Sequence, residues 1–327
     1  PKEFLKGGKA AFVVGTLGVV IPFFIGLAVF QLFGFDALQS MLIATALTAT
    51  SIAISIQVLS EFGKLKTPEA RLIIGAAIVD DILAIAVLSV VTSIAGSDGG
   101  VDNIDITEVT ITILQVLGFF AIMLIVAVVV IPKVITPRIW KAKGSVEGIA
   151  TAAFFGAAAL AGSIGLSPIV GAFAVGMALS TTKVFEKVEN YVGKIGLIFA
   201  PLFFAIIGAQ VDLRAVDLNI LLLSAVIVIV AVTTKLFGCG LPAMYFLKSK
   251  QKGMRVGIGM ISRGEVGLIV AGVGITAGIL TSEVYSTIII MVVVTTIITP
   301  IWLKIEYRKE QKNDNNESNK TVEQKSE

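Results

Sequence analysis

Gly75-Ala-Ala-Ile-Val-Asp80-Asp81-Ile-Leu-Ala-Ile85 sets two adjacent carboxylates in the middle of an apolar run from Pro68 to about residue 95. The run is long enough to cross a bilayer, which takes ~20 apolar residues for ~30 Å of hydrocarbon. Asp80 and Asp81 come about ten residues past Arg71. At ~1.5 Å of helical rise per residue they therefore lie ~15 Å deep, near the midplane. One charged side chain there costs at least ~2.5–3.5 kcal/mol on insertion scales, and two cost more. Ionisable groups at that depth point to function, so the pair is where the reading of this chain begins.

Composition agrees. The 327 residues are 56% hydrophobic and 15% charged, with a mean hydropathy of +0.94. A soluble domain of this length cannot bury so much apolar surface, so the class is an all-α polytopic membrane protein. The single Cys239 lies inside an apolar run and reads as a small core residue; it excludes a disulfide framework and a thiolate metal site. The absence of His removes imidazole metal sites and Ser/His triads. No cofactor is implied. A net charge of +3, spread along the chain, gives no footprint for nucleic acid. The sequence begins at Pro1 without a signal-peptide pattern, which reads as a fragment or processed chain.

Ten apolar stretches can be marked, at roughly 9–33, 38–60, 68–95, 107–131, 146–163, 166–180, 195–211, 219–247, 254–276 and 283–304. Their loops alternate in charge. The N-terminal segment, the loops 61–71, 132–145, 181–194 and 248–255, and the tail from 304 hold 23 of the 26 Lys and Arg. The positive-inside rule then puts both ends of this chain in the cytoplasm, in agreement with ten crossings of a cell membrane. Thr67, Pro68 and Glu69 mark the start of the third span. Residues 181–194 alternate apolar with Lys and Glu and suggest a short helix on the membrane surface. The tail, 306–327, is polar and is expected to be disordered.

Two spans carry interruptions. Residues 44–55 hold five hydroxyls, a poor composition for the middle of a helix. Such hydroxyls can bond the preceding turn's carbonyls. Alternatively the helix breaks near Thr50 and Ser51, with freed polar groups facing a water-filled cavity, where irregular backbone at membrane depth is tolerated. In the ninth span, Ser262-Arg263-Gly264-Glu265 places opposite charges two residues apart. On a simple helix these would point ~200° apart, so each needs another partner or a break. Arg263 could also snorkel to the nearby surface.

Lys235, halfway along 219–247, is too deep to snorkel and needs a carboxylate, for which Asp80 and Asp81 are the candidates at that depth. The aspartates point ~100° apart on a helix, so one can face Lys235 while the other faces a cavity. A stabilising ion pair accounts for one of them only. Residues 9–95 and 219–304 each read as helix, interrupted helix, helix, entering from opposite sides. Inverted repeats with paired broken helices are the architecture of many secondary transporters. Three spans precede the second triplet, so the repeat predicts about three more before Pro1.

TATSIAIS (48–55), IVDDILAI (78–85), SPIVGAFAVG (167–176), GAQVDL (208–213), Lys235 and SRGEVGLIV (262–270) together resemble the bacterial and archaeal cation/proton antiporters of the NapA/NhaA type. The likeness is strongest to the monovalent cation:proton antiporter-2 branch, over about residues 1–305. It implies an inverted-repeat fold with two broken, crossing helices. Residues 1–100 and 216–305 would form the ion-translocating core, 101–145 a linking helix and cytoplasmic loop, and 146–215 part of a homodimer interface. Asp81 would bind the cation or proton, and Asp80 would pair with Lys235 when no cation is bound. Thr50 and Ser51 would offer oxygens, with Na+ held at Asp81, Asp80 and Thr50. Arg263 and Glu265 would compensate half-helix dipoles at the crossing. The Asp80-Asp81 pair with Lys235 matches the electrogenic subtype.

The function implied is exchange of Na+ (or Li+) for H+ by alternating access, a transporter and not an enzyme, with activity falling at acidic pH as the pair stays protonated. A potassium/proton antiporter of the same fold is the rival. A passive cation channel is opposed by midplane Lys235. An intramembrane aspartyl protease needs its carboxylates on different helices, whereas these are neighbours on one.

Overall fold

The computed structural model describes residues 2–96, single helical positions between 107 and 125, and residues 144–163, 168–180, 182–209 and 217–323. All regular structure among the described residues is helical. The fourth expected span, 107–131, lies largely outside them. Among the described residues, five helical stretches are long and apolar enough to cross a membrane: Gly8–Leu32, Ala37–Glu61, Ser145–Ser163, Leu218–Leu247 and Ser282–Glu310. The chain divides into two compact units, one of residues 2–84 and 213–327, the other of 85–212.

The larger unit is built from two triplets. In the first, α1 (Lys2–Leu32) is followed by α2 (Ala37–Thr48), α3 (Ala53–Glu61) and α4 (Pro68–Gly96). Asp36 caps α2 through the Gln39 N–H. Thr67 caps α4 through the Ala70 N–H, as its sequence position suggests. Between α2 and α3 the chain unwinds for four residues, Ala49 to Ile52, in the hydroxyl-rich segment. Thr45 and Thr48 do bond the preceding turn, to Met41 O and Thr45 O at 2.7 Å each, so local hydroxyl bonding and the break coexist.

The second triplet comprises α8 (Leu218–Lys235) and α9 (Leu241–Leu247), then α10 (Lys250–Gly259) and α11 (Glu265–Thr276), then α12 (Ser282–Glu323). Asp217 caps α8 and Ser249 caps α10. A π-turn, Leu236–Gly240, joins α8 to α9. Its cause is local: Pro242 has no N–H for the carbonyl four residues back and its ring would collide with it, so the backbone widens there. The second break, Met260 to Gly264, separates α10 from α11.

Tight interhelix approaches rest on small residues. A Cβ on Gly15 would lie 2.5 Å from Ala76 O, and one on Gly238 would lie 2.9 Å from Leu17 O. Around these sit Val14, Ile73, Ala76, Cys239 and Met260, all buried. The smaller unit contains α5 (Ser145–Ser163), α6 (Pro168–Leu179) and α7 (Phe185–Ala209), packed through Val146, Ala150, Ala157, Val175, Leu179 and Val188.

Two elements differ from the sequence expectation. The short surface helix expected at 181–194 is continuous with the following span in α7, whose polar first half is fastened to α5. Lys187 pairs with Glu147 at 3.3 Å, and the Thr151 hydroxyl donates to the Tyr191 oxygen at 3.2 Å. The stretch expected to be a tail begins inside a helix, since α12 runs to Glu323. Tyr307 is fully buried, Lys304 pairs with Glu61 at 2.7 Å, and Glu310 pairs with Lys64 and with Arg255, each at 3.0 Å. These anchors extend the helix past the apolar span.

Candidate functional site

The two breaks meet. The Ser51 N–H, in the first, donates to Ser262 O, in the second, at 2.9 Å. A Cβ on Gly264 would strike the Ser51 side chain, so glycine is what allows the approach. One turn further along, the Ser55 hydroxyl donates to Gly259 O at 2.7 Å. Peptide groups that each helix leaves unmatched at its break are thus partly matched by the other, as an apolar surround demands.

Asp80 stands beside this crossing, wholly buried. Its Oδ1 accepts from Lys235 Nζ at 2.5 Å, and both side chains have zero exposure. Its Oδ2 accepts from the Thr50 N–H at 3.0 Å. One carboxylate therefore ties α4 to α8 and to the first break. Asp81, next on α4, is partly exposed. Thr50 and Ser262 are buried residues, and the hydroxyl of each is buried without a hydrogen-bond partner. Two unmatched hydroxyl oxygens at the crossing are what an oxygen-preferring cation such as Na+ would use, and with the carboxylates they form a hard donor set. Among the described residues no cluster of three or more His, Cys, Asp or Glu could hold a metal ion.

Arg263 does not snorkel. It is fully buried, and its guanidinium donates to Met260 O (3.3 Å) and Ile261 O (3.2 Å), just past the end of α10, and to Ala231 O of α8 (3.2 Å). A cation at a helix C-terminus opposes the partial negative charge of its carbonyls. Glu265 opens α11, the end where a carboxylate is favoured; its side chain lies outside the described residues. The structure thus brings Thr50, Ser51, Asp80, Lys235 and Arg263 to one crossing, with Asp81 adjacent in the chain.

The model of the family described as sodium/hydrogen exchanger, transmembrane, matches residues 1–308. The chain belongs to the sodium/hydrogen exchanger family. It is 33% identical over 317 residues to the high-affinity Na+/H+ antiporter NhaS3 of Synechocystis sp., covering 93% of this chain and 66% of that protein. It is 34% identical over 311 residues to the Na+/H+-K+ antiporter GerN of Bacillus cereus, covering 94% of this chain and 78% of the relative. To a Na+/H+ antiporter of Enterococcus hirae it is 32% identical over 306 residues, covering 93% and 78%.

This family member also uses residues that the sequence reading passes over. Gly18 of α1 lies against the buried ion pair. A Cβ there would sit 2.6 Å from Cys239 Sγ, 3.4 Å from Asp80 Oδ1 and 3.5 Å from Lys235 Nζ. The π-turn directly follows Lys235; its visible signal is Gly238-Cys239-Gly240-Leu241-Pro242. Arg255, read only as a loop cation, is fully buried beside Glu69 and Glu310, with its guanidinium 4.5 Å from the centre of the Tyr307 ring.

Proposed function

We propose that this multi-pass membrane protein exchanges cytoplasmic Na+ (or Li+) for external H+ across the cell membrane by alternating access, with no cofactor and as a homodimer. In this reading both ends of the chain are cytoplasmic. Residues 1–100 and 216–305 form an inverted-repeat core of the NapA type, 101–145 the link, and 146–215 contribute to the dimer interface.

The observation that carries the reading is the sealed Asp80. Both of its oxygens are occupied, one by Lys235 and one by the Thr50 N–H. A cation that recruits Asp80 together with Asp81 and Thr50 must displace the Lys235 ammonium. An ammonium without its carboxylate cannot stay charged in that apolar surround, so cation entry is coupled to proton release. Na+ also displaces the proton carried by Asp81, so two protons move against one Na+ and the exchange moves net charge.

The test is proton flux in proteoliposomes with Na+, Li+ and K+ supplied in turn, with and without an imposed potential. Na+ and Li+ should each dissipate a preset pH gradient, at a rate that responds to the potential. A gradient untouched by every cation would overturn the reading, and a rate indifferent to the potential would remove its electrogenic part. Potassium as an additional substrate is the second reading, favoured by the likeness to a relative named a Na+/H+-K+ antiporter.

A further inference from the structure

The two breaks are held in matching ways by the third helix of their own triplet. In the first, the Thr50 N–H donates to a side-chain oxygen in mid-α4, Asp80 Oδ2. In the second, the Arg263 N–H donates to a side-chain oxygen midway along the apolar part of α12, Thr295 Oγ1, at 3.2 Å. The Thr295 hydroxyl places its own proton on Met291 O (2.8 Å) or Val292 O (3.1 Å), so its lone pair is available to the break. The neighbouring Thr296 hydroxyl donates to Arg263 O at 2.8 Å. Two adjacent hydroxyls therefore hold both the N–H and the C=O of Arg263.

From there the bonds run to the ion pair without a gap. Thr295 holds the Arg263 N–H. The carbonyl of the same peptide unit, Ser262 O, accepts from the Ser51 N–H. The next residue back, Thr50, gives its N–H to Asp80, and Asp80 holds Lys235.

We propose that Thr295 and Thr296 are positioning residues for the cation site: by fixing the Arg263 peptide they set the place of Ser262 O and, through Ser51 and Thr50, of the Asp80 carboxylate. Neither threonine touches the ion in this scheme. The effect on cation affinity rests on the functional reading above, whereas the coupling between the two breaks does not.

The experiment therefore has two arms, with Thr295→Val, Thr296→Val and Thr295→Ser. Valine keeps the shape and leaves a buried peptide group unmatched, an effect large enough to move an equilibrium about tenfold. Hydrogen–deuterium exchange of the purified protein should quicken at 48–53 as well as at 260–264 in Thr295→Val, with Thr295→Ser close to wild type. Faster exchange confined to 260–264, or no change, would overturn the proposal. In proteoliposomes, the KM for Na+ should rise about tenfold in Thr295→Val and return toward wild type in Thr295→Ser, while kcat changes far less. A merely structural role would lower kcat or yield and leave KM unchanged; that result overturns the positioning role, as does a serine variant that fails to restore KM. Thr296→Val, which removes the contact on the other side of the same residue, gives both readouts should Thr295→Val fail to fold. A wild type without cation-driven proton flux would count against the functional reading alone, because the exchange arm still decides the coupling.

Discussion

Asp80 has its charge matched by Lys235 and its second oxygen by a backbone N–H, and all of this happens beside a glycine. Gly18 leaves room for the pair; any Cβ there lies closer to Cys239 Sγ than two such atoms can approach. Gly18→Ala should therefore force α1 away from the π-turn that carries Cys239, a strain of about 1–3 kcal/mol in a packed interior. The expected outcome is a lower melting temperature in detergent and slowed Na+-driven proton flux. A variant with wild-type values in both would show that α1 does not bear on the pair. At this scale the sequence was partly legible. Two midplane carboxylates and a midplane lysine demand each other on electrostatic grounds alone, and Asp80 does pair with Lys235. Gly18 was not legible, because a glycine in an apolar helix acquires meaning only from what packs against it.

At the scale of elements, the breaks were readable where local chemistry opposes helix: a hydroxyl-rich run, and a charged, glycine-flanked run. That the two breaks bond each other was not readable, since Ser51 and Ser262 are far apart in the chain. The extension of α12 was hidden for the same reason. Its anchors, Glu61, Lys64, Glu69 and Arg255, belong to other elements, and the segment by itself looks like a solvated tail. Tyr307 stacks on Phe62, with ring centres 5.6 Å apart, and lies beneath Arg255. The Arg255 guanidinium also reaches Glu69 at 3.5 Å and donates to Glu306 O at 3.4 Å. Arg255→Ala leaves Glu69 buried without its cation, and breaking such a pair from one side costs about 3–5 kcal/mol. We expect a marked fall in thermal stability. Arg255→Lys should recover it only in part, because an ammonium lacks the planar fork that serves two carboxylates, a carbonyl and a ring together. Full recovery by lysine would reduce the cluster to simple charge pairing.

At the scale of the whole molecule, the larger unit is inverted relative to a soluble protein. Asp80, Lys235, Arg255 and Arg263 are fully buried, while Phe12, Phe24, Leu222, Ile229 and Phe237 are more than half exposed. Lipid is the solvent that such a surface suits. The same inversion makes the buried charges costly, so a functional use for them is expected. The central claim is that Asp81 binds the transported cation and proton in turn, with Asp80 and Lys235 as its switchable partners. Asp81→Asn removes that exchange while keeping size and shape. In proteoliposomes carrying a preset pH gradient, the claim predicts that an Na+ pulse moves protons in the wild type and moves none in Asp81→Asn. Normal Na+-driven proton movement in Asp81→Asn would contradict it.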